Sequence, residues 1–114
     1  MYRLRFGMSA TLERVKRLAA VGDIRISEHG YDELAADGLS AREIVSGLDA
    51  GIAVEDYPAF HKGPCVLVLQ LDANHAPVHA LWGLPIGSDR PAVLITAYRP
   101  DPKRWDESYM VRMK

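Results

Sequence analysis

The apolar positions keep a helical period through the first third of the chain and then switch to alternation. Leu12, Val15, Leu18 and Ala19 recur three and four apart, with Ser9 or Thr11 placed to cap a helix and Gly22 to end it. The segment "IRIS" predicts a short strand with Ile24 and Ile26 on one face. Glu28 then starts a second helix, where Tyr31, Leu34 and Ala35 form a stripe that stops at Gly38. "SAREIVSGL" opens a third helix with a capping box: Ser40 accepts from the backbone while Glu43 reaches back. Gly51 closes it.

Beyond Gly51 the period is two. "IAVEDY" (52–57), "CVLVLQL" (65–71), "PVHALWGL" (77–84) and "AVLITAYR" (92–99) read as strands joined by short polar loops. Short links between consecutive strands dictate antiparallel hairpins, because a parallel pair needs a long crossover. The expected fold is therefore α+β, with two or three N-terminal helices laid on a four-stranded, mainly antiparallel sheet. The tail "PDPKRWDESYMVRMK" leaves the last strand through two prolines and should pack back through Trp105, Tyr109 and Met110.

Alternation also sorts the polar residues onto faces. Glu55 and Tyr57 share a side with Ala53, Gln70 with Val66 and Val68, and His79 with Leu81 and Gly83. Thr96 and Tyr98 follow Ala92 and Leu94. A four-residue loop at 73–76 would set Gln70 directly opposite His79. A glutamine, a histidine, a glutamate and two tyrosines gathered on one sheet face would make a small site for proton transfer and phosphate contact.

At 114 residues, with 48% hydrophobic and 25% charged side chains, the expectation is one soluble domain over 1–114. No apolar run is long enough to span a bilayer, and no signal peptide is read. Cys65 stands alone, so no internal disulfide forms and a reducing, cytoplasmic location is expected. The net charge of −1 hides an asymmetry: residues 1–22 carry +4, 23–56 carry −7, and 99–114 carry +2. A polyanion would approach the basic ends, while the acidic segment would repel it or dock a basic partner.

"ISEHGYDELAADGLSAREIVSGLDAGIAVEDYP", "CVLVLQL", "APVHALWG" and "VLITAYRPDPKRW", in this order, resemble the bacterial domain-of-unknown-function family 4258 over residues 24–106. The resemblance implies kinship with RelE/ParE- and BrnT-like toxins, small α+β proteins many of which cleave RNA and pair with a small antitoxin protein. It marks His29, the "EDYP" of Glu55 to Pro58, His79, and the "YRPD" of Tyr98 to Asp101. The second helix departs from the pattern: Asp32 and Glu33 stand where an acid–arginine pair is expected, and Asp37 where another arginine is common.

The expected function is thus the toxin component of a toxin–antitoxin pair, acting as a metal-independent endoribonuclease with no cofactor; the alternative is a non-catalytic protein-interaction domain on the same scaffold. RNA cleavage needs a base for the 2′-hydroxyl, an acid for the leaving oxygen and cations for the phosphorane. His79, Glu55, Tyr98 and His29 are the catalytic candidates. Arg99, Tyr57, Gln70, Lys62 and Arg112 are the substrate-binding ones. Each has a plainer role: His79 bonded to Gln70 within the sheet, Glu55 paired with an arginine, and His29 fixing the strand–helix corner by bonding backward. His61 and His75 belong to solvated loops, and no metal-ligand cluster is read, since a four-residue spacing between His75 and His79 converges only on a helix.

Overall fold

Each of the three helices begins at a serine whose hydroxyl meets a free backbone N–H. In a computed structural model, which describes residues 9–113, Ser9 accepts from Leu12 N at 3.1 Å ahead of α1 (Ala10–Ala20). Ser27 accepts from Gly30 N ahead of α2 (Glu28–Ala36), and Ser40 from Glu43 N ahead of α3 (Ala41–Gly47). The Glu43 carboxylate does not reach back to its own cap backbone. It takes the Ser40 hydroxyl and the Ala73 N–H, tying α3 to the loop after β3. The basic residues Arg3, Arg5 and Lys114 lie outside the described residues.

The strands are β1 (Ile24–Ile26), β2 (Ile52–Tyr57), β3 (Cys65–Leu71), β4 (Pro77–Gly83) and β5 (Ala92–Tyr98), in the order β1-β5-β4-β3-β2. β2 to β5 form the expected antiparallel meander. The sheet, however, has five strands and is mixed: β1 runs parallel to β5, with Ile24, Arg25 and Ile26 opposite Ala92, Val93 and Leu94. Alternation identified the short strand but carries no information about a partner nearly seventy residues away.

The helices cover one face. Leu12, Val15, Leu34, Ile44 and Leu48 pack on Ala53, Val66, Val68, Val78, Ala80, Trp82, Leu94 and Ala97. Gln70 also lies on this face, 2% exposed, accepting from Trp82 Nε1 at 2.9 Å and donating to Ile44 O at 2.7 Å. It is a core bracket between β3, β4 and α3, so its expected place beside His79 is corrected. The β3–β4 loop is one residue shorter than expected, because His75 takes a left-handed φ of 63° and Asp72 N bonds Ala76 O. That one-residue slip pairs Gln70 with Val78 and Leu69 with His79.

Two bulges redirect side chains. One between Ala53 and Glu55 leaves Ala53 in the helix-side core but turns Glu55 to the opposite face, beside Leu67. The other, where Trp82 pairs Leu94 but Leu81 pairs Thr96, sends Thr96 and Tyr98 away from the face that Leu94 occupies. The simple alternation of Glu55 with Ala53, and of Tyr98 with Leu94, is corrected by these extra residues.

The tail crosses the uncovered face. Trp105, 4% exposed, packs with Val54, Leu67, Leu69, Leu81, Tyr109 and Met110 in a second, smaller core. An antiparallel bridge between Trp105 and Arg112 closes it into a compact loop.

Candidate binding groove on the open sheet face

Between the tail and the loop that follows β2 lies a groove of about 470 Å³. Glu55 and Tyr57 of β2, Lys62 of the loop, Thr96 and Tyr98 of β5 and Arg112 of the tail face it, over a floor that includes Leu67 and Leu81. The bulge at Val54 supplies Glu55, the bulge in β5 supplies Tyr98, and the tail supplies Arg112. The loop bearing Phe60 and Lys62 is pinned from behind, where Leu84 N bonds Pro64 O at 3.0 Å. Gly63 sits there with φ +118°, and a β-carbon would run into Leu84 O.

Glu55 is 6% exposed and clamped. Arg112 donates to it through Nε at 2.7 Å and Nη2 at 3.0 Å, and the Tyr57 hydroxyl donates at 2.7 Å. Burial alone would raise its pKa, but the Arg112 and Tyr57 bonds outweigh burial and hold the carboxyl below its ordinary range. Burial and the Glu55 charge push the Tyr57 hydroxyl up to about 12. Burial likewise raises the Tyr98 hydroxyl. At neutral pH the groove therefore presents an ionised carboxylate, two protonated phenols and two cations.

His79 lies one layer beneath. Its ring is fully buried, edge-on to Trp105 with ring centres 4.4 Å apart and to Tyr98 at 5.4 Å. Nε2 is 2.8 Å from the Tyr109 carbonyl, which only accepts, so Nε2 carries the proton. Nδ1 is left to accept from the Tyr98 hydroxyl at 3.3 Å. Burial is the main cause of a lowered His79 pKa, only partly offset by the Tyr109 bond, and the ring is neutral. Tyr109 adopts a left-handed φ of 59° as it offers that carbonyl. His79 thus positions Tyr98 and anchors the tail, and does not line the groove.

The remaining candidates are elsewhere. Arg99 is ion-paired with Asp72 at 2.9 Å and does not line the groove. His29 is exposed on α2, 3.5 Å from Glu33, and does not bond back to the corner. That corner is made by Ser27, whose hydroxyl donates to Ile95 O at 2.8 Å, and by Gly30, packed on the Leu94 and Ile95 carbonyls. Phe60, missed in the sequence, stands 45% exposed on the groove wall; the one signal for it was a large apolar ring in the short loop between β2 and β3. Among the described residues, no three His, Cys, Asp or Glu gather as a metal site.

Fold and site together define a small α+β protein: three helices on one face of a mixed five-stranded sheet, and a polar-walled groove on the other. The chain belongs to the family described as Domain of unknown function (DUF4258), whose model matches residues 26–99. The matched segment holds all five strands except Ile24 and Arg25, and stops before the tail that supplies Arg112. No curated protein and no solved structure matches the chain. Among the described residues, no helix is long and apolar enough to cross a membrane.

Proposed function

We propose that the groove binds single-stranded RNA and cleaves it without a metal, as the toxin of a bacterial toxin–antitoxin pair on a RelE/ParE-like scaffold in the cytoplasm, with a small antitoxin protein as partner. The observation that carries this reading is the meeting of Glu55, Tyr57, Tyr98, Lys62 and Arg112 in one groove. A phosphate entering it competes with Glu55 for Arg112. As the guanidinium turns to the phosphate, the carboxylate loses the partner that lowers its pKa and becomes a better base. Glu55 then takes the 2′-hydroxyl proton and the 2′-oxygen attacks phosphorus. The bond to the 5′-oxygen breaks, and that oxygen takes the Tyr98 proton, which leaves its hydrogen bond to His79 Nδ1 and turns into the groove. Lys62 and Arg112 neutralise the phosphorane. His79 holds the Tyr98 hydroxyl in place.

The test is cleavage of a mixed-sequence, single-stranded RNA in excess chelator. Wild type is expected to cut, and Glu55→Gln to cut ~100-fold or more slowly with RNA binding retained. Equal cleavage by both proteins refutes the role of Glu55. A second reading, a non-catalytic protein-interaction domain, is favoured by the mutual neutralisation of Glu55 and Arg112. RNA neither bound nor cut by wild type would favour that reading, in which the groove takes a protein partner.

A further inference from the structure

A second cavity, of about 260 Å³, continues the groove toward the β1 edge and shares Phe60, Lys62 and Ile95 with the first. Arg25 stands at its far end. β1 places Arg25 directly beside Val93, so both side chains project from the groove face of the sheet. The floor is apolar, formed by Gly83, Val93 and Ile95. Gly83 lets Ile95 lie across it: a β-carbon there would come within 2.9 Å of Ile95 Cδ1.

Three cations are thus strung along one trough, Arg112 at one end, Lys62 at the junction and Arg25 at the other end. The only acid on either lining, among the described residues, is Glu55, which Arg112 already neutralises. Among the described residues, neither Lys62 nor Arg25 is in an ion pair, while Arg90, Arg99, Arg104 and Arg112 each have a carboxylate. An aromatic ring on the wall, an apolar floor and cations at intervals are the elements by which single-stranded nucleic acid is held: bases on the apolar and aromatic surfaces, phosphates on the rim. A base-paired duplex keeps its bases stacked inside and has nothing to lay on such a floor.

We infer that this second cavity is a subsite for the neighbouring nucleotide, with Arg25 on its phosphate, so that the groove takes a single-stranded segment of at least two nucleotides. The inference rests on the RNA reading above. It concerns how much of the ligand is gripped, not whether the bond is cut.

The test is competition by 2′-O-methyl pA and by 2′-O-methyl pApA against a fluorescently labelled 2′-O-methyl hexanucleotide, followed by anisotropy at low salt. These probes are not cleaved, so binding alone is read. Wild type is expected to bind pApA ~10-fold or more tightly than pA, the scale of one well-placed phosphate contact. Arg25→Glu should remove that advantage and leave pA binding unchanged; Arg25→Ala should remove part of it. Arg25 is exposed, so both variants should fold. Equal binding of pA and pApA by wild type overturns the subsite, as does a pApA advantage that survives Arg25→Glu. Failure of the hexanucleotide itself to bind refutes the RNA reading, and the subsite with it.

Discussion

Replacing His79 separates support from chemistry, because the ring is sealed from the groove yet touches what lines it. His79→Ala deletes the bond to the Tyr109 carbonyl, leaving a partly buried acceptor unpaired at a cost of ~1–3 kcal/mol. It also deletes two edge-on aromatic contacts, to Trp105 and Tyr98, worth ~0.5–1.5 kcal/mol each beyond buried area. The expected loss is about 2–6 kcal/mol. His79→Phe keeps an aromatic ring against Trp105 and Tyr98 but is larger, and should lose about 1–3 kcal/mol through the unpaired carbonyl and overpacking. Urea unfolding followed by tryptophan fluorescence reads both, since Trp105 lies against the ring. Acid adds an independent check. The folded protein disfavours His79 protonation, so the unfolded chain binds more protons below the ordinary histidine pKa of 6.5. This stabilisation is complete above that value and fades as pH falls from it toward the lowered folded pKa, and His79→Phe should abolish this part of the slope. Unchanged stability of His79→Ala, within ~0.5 kcal/mol, together with a ~100-fold loss of RNA cleavage would refute the reasoning and make His79 the acid or base itself.

Two further expectations follow from the same contacts. Arg112→Gln should cost about 1–2 kcal/mol, less than a fully buried pair because the arginine is half exposed, and should raise the Glu55 pKa. Since Glu55 in the wild type is held below its ordinary value, its contribution is present above pH 4.5 and lost as pH falls through the folded pKa; stability curves from pH 3 to 6 should lose that component in the variant. Gln70→Leu should destabilise by about 2–4 kcal/mol by stranding the Trp82 N–H and the Ile44 carbonyl. Adding Trp82→Phe should recover part of that loss in a double-mutant cycle.

The helices and the meander were legible because their periods are local: serine caps, apolar stripes, and alternation between short loops. Five of the nine candidate residues, Glu55, Tyr57, Lys62, Tyr98 and Arg112, meet in the groove, but how they reach it was not legible. Glu55 and Tyr98 reach the groove through bulges, which insert a residue without marking it, since Val54 and Ile95 look like ordinary strand positions. Gln70 left the set because a left-handed His75 shortened a loop by one residue. Arg99 had no visible reason to choose Asp72. His29 resembled a corner residue, but the corner needed a small residue against the β5 carbonyls, and Ser27 with Gly30 filled that need.

The parallel pairing of β1 with β5 also bears on the order in which the chain assembles. The β2–β5 hairpins close over short loops, whereas Ile24 to Ile26 must find Ala92 to Leu94 across most of the sequence. Closing so long a loop costs entropy that only a preformed β5 repays, so the meander should form first and β1 dock late. Ser27 and Gly30 are seated on β5 carbonyls by the same event. The Arg25 end of the groove would then be the last part of the molecule to be completed and the first to open.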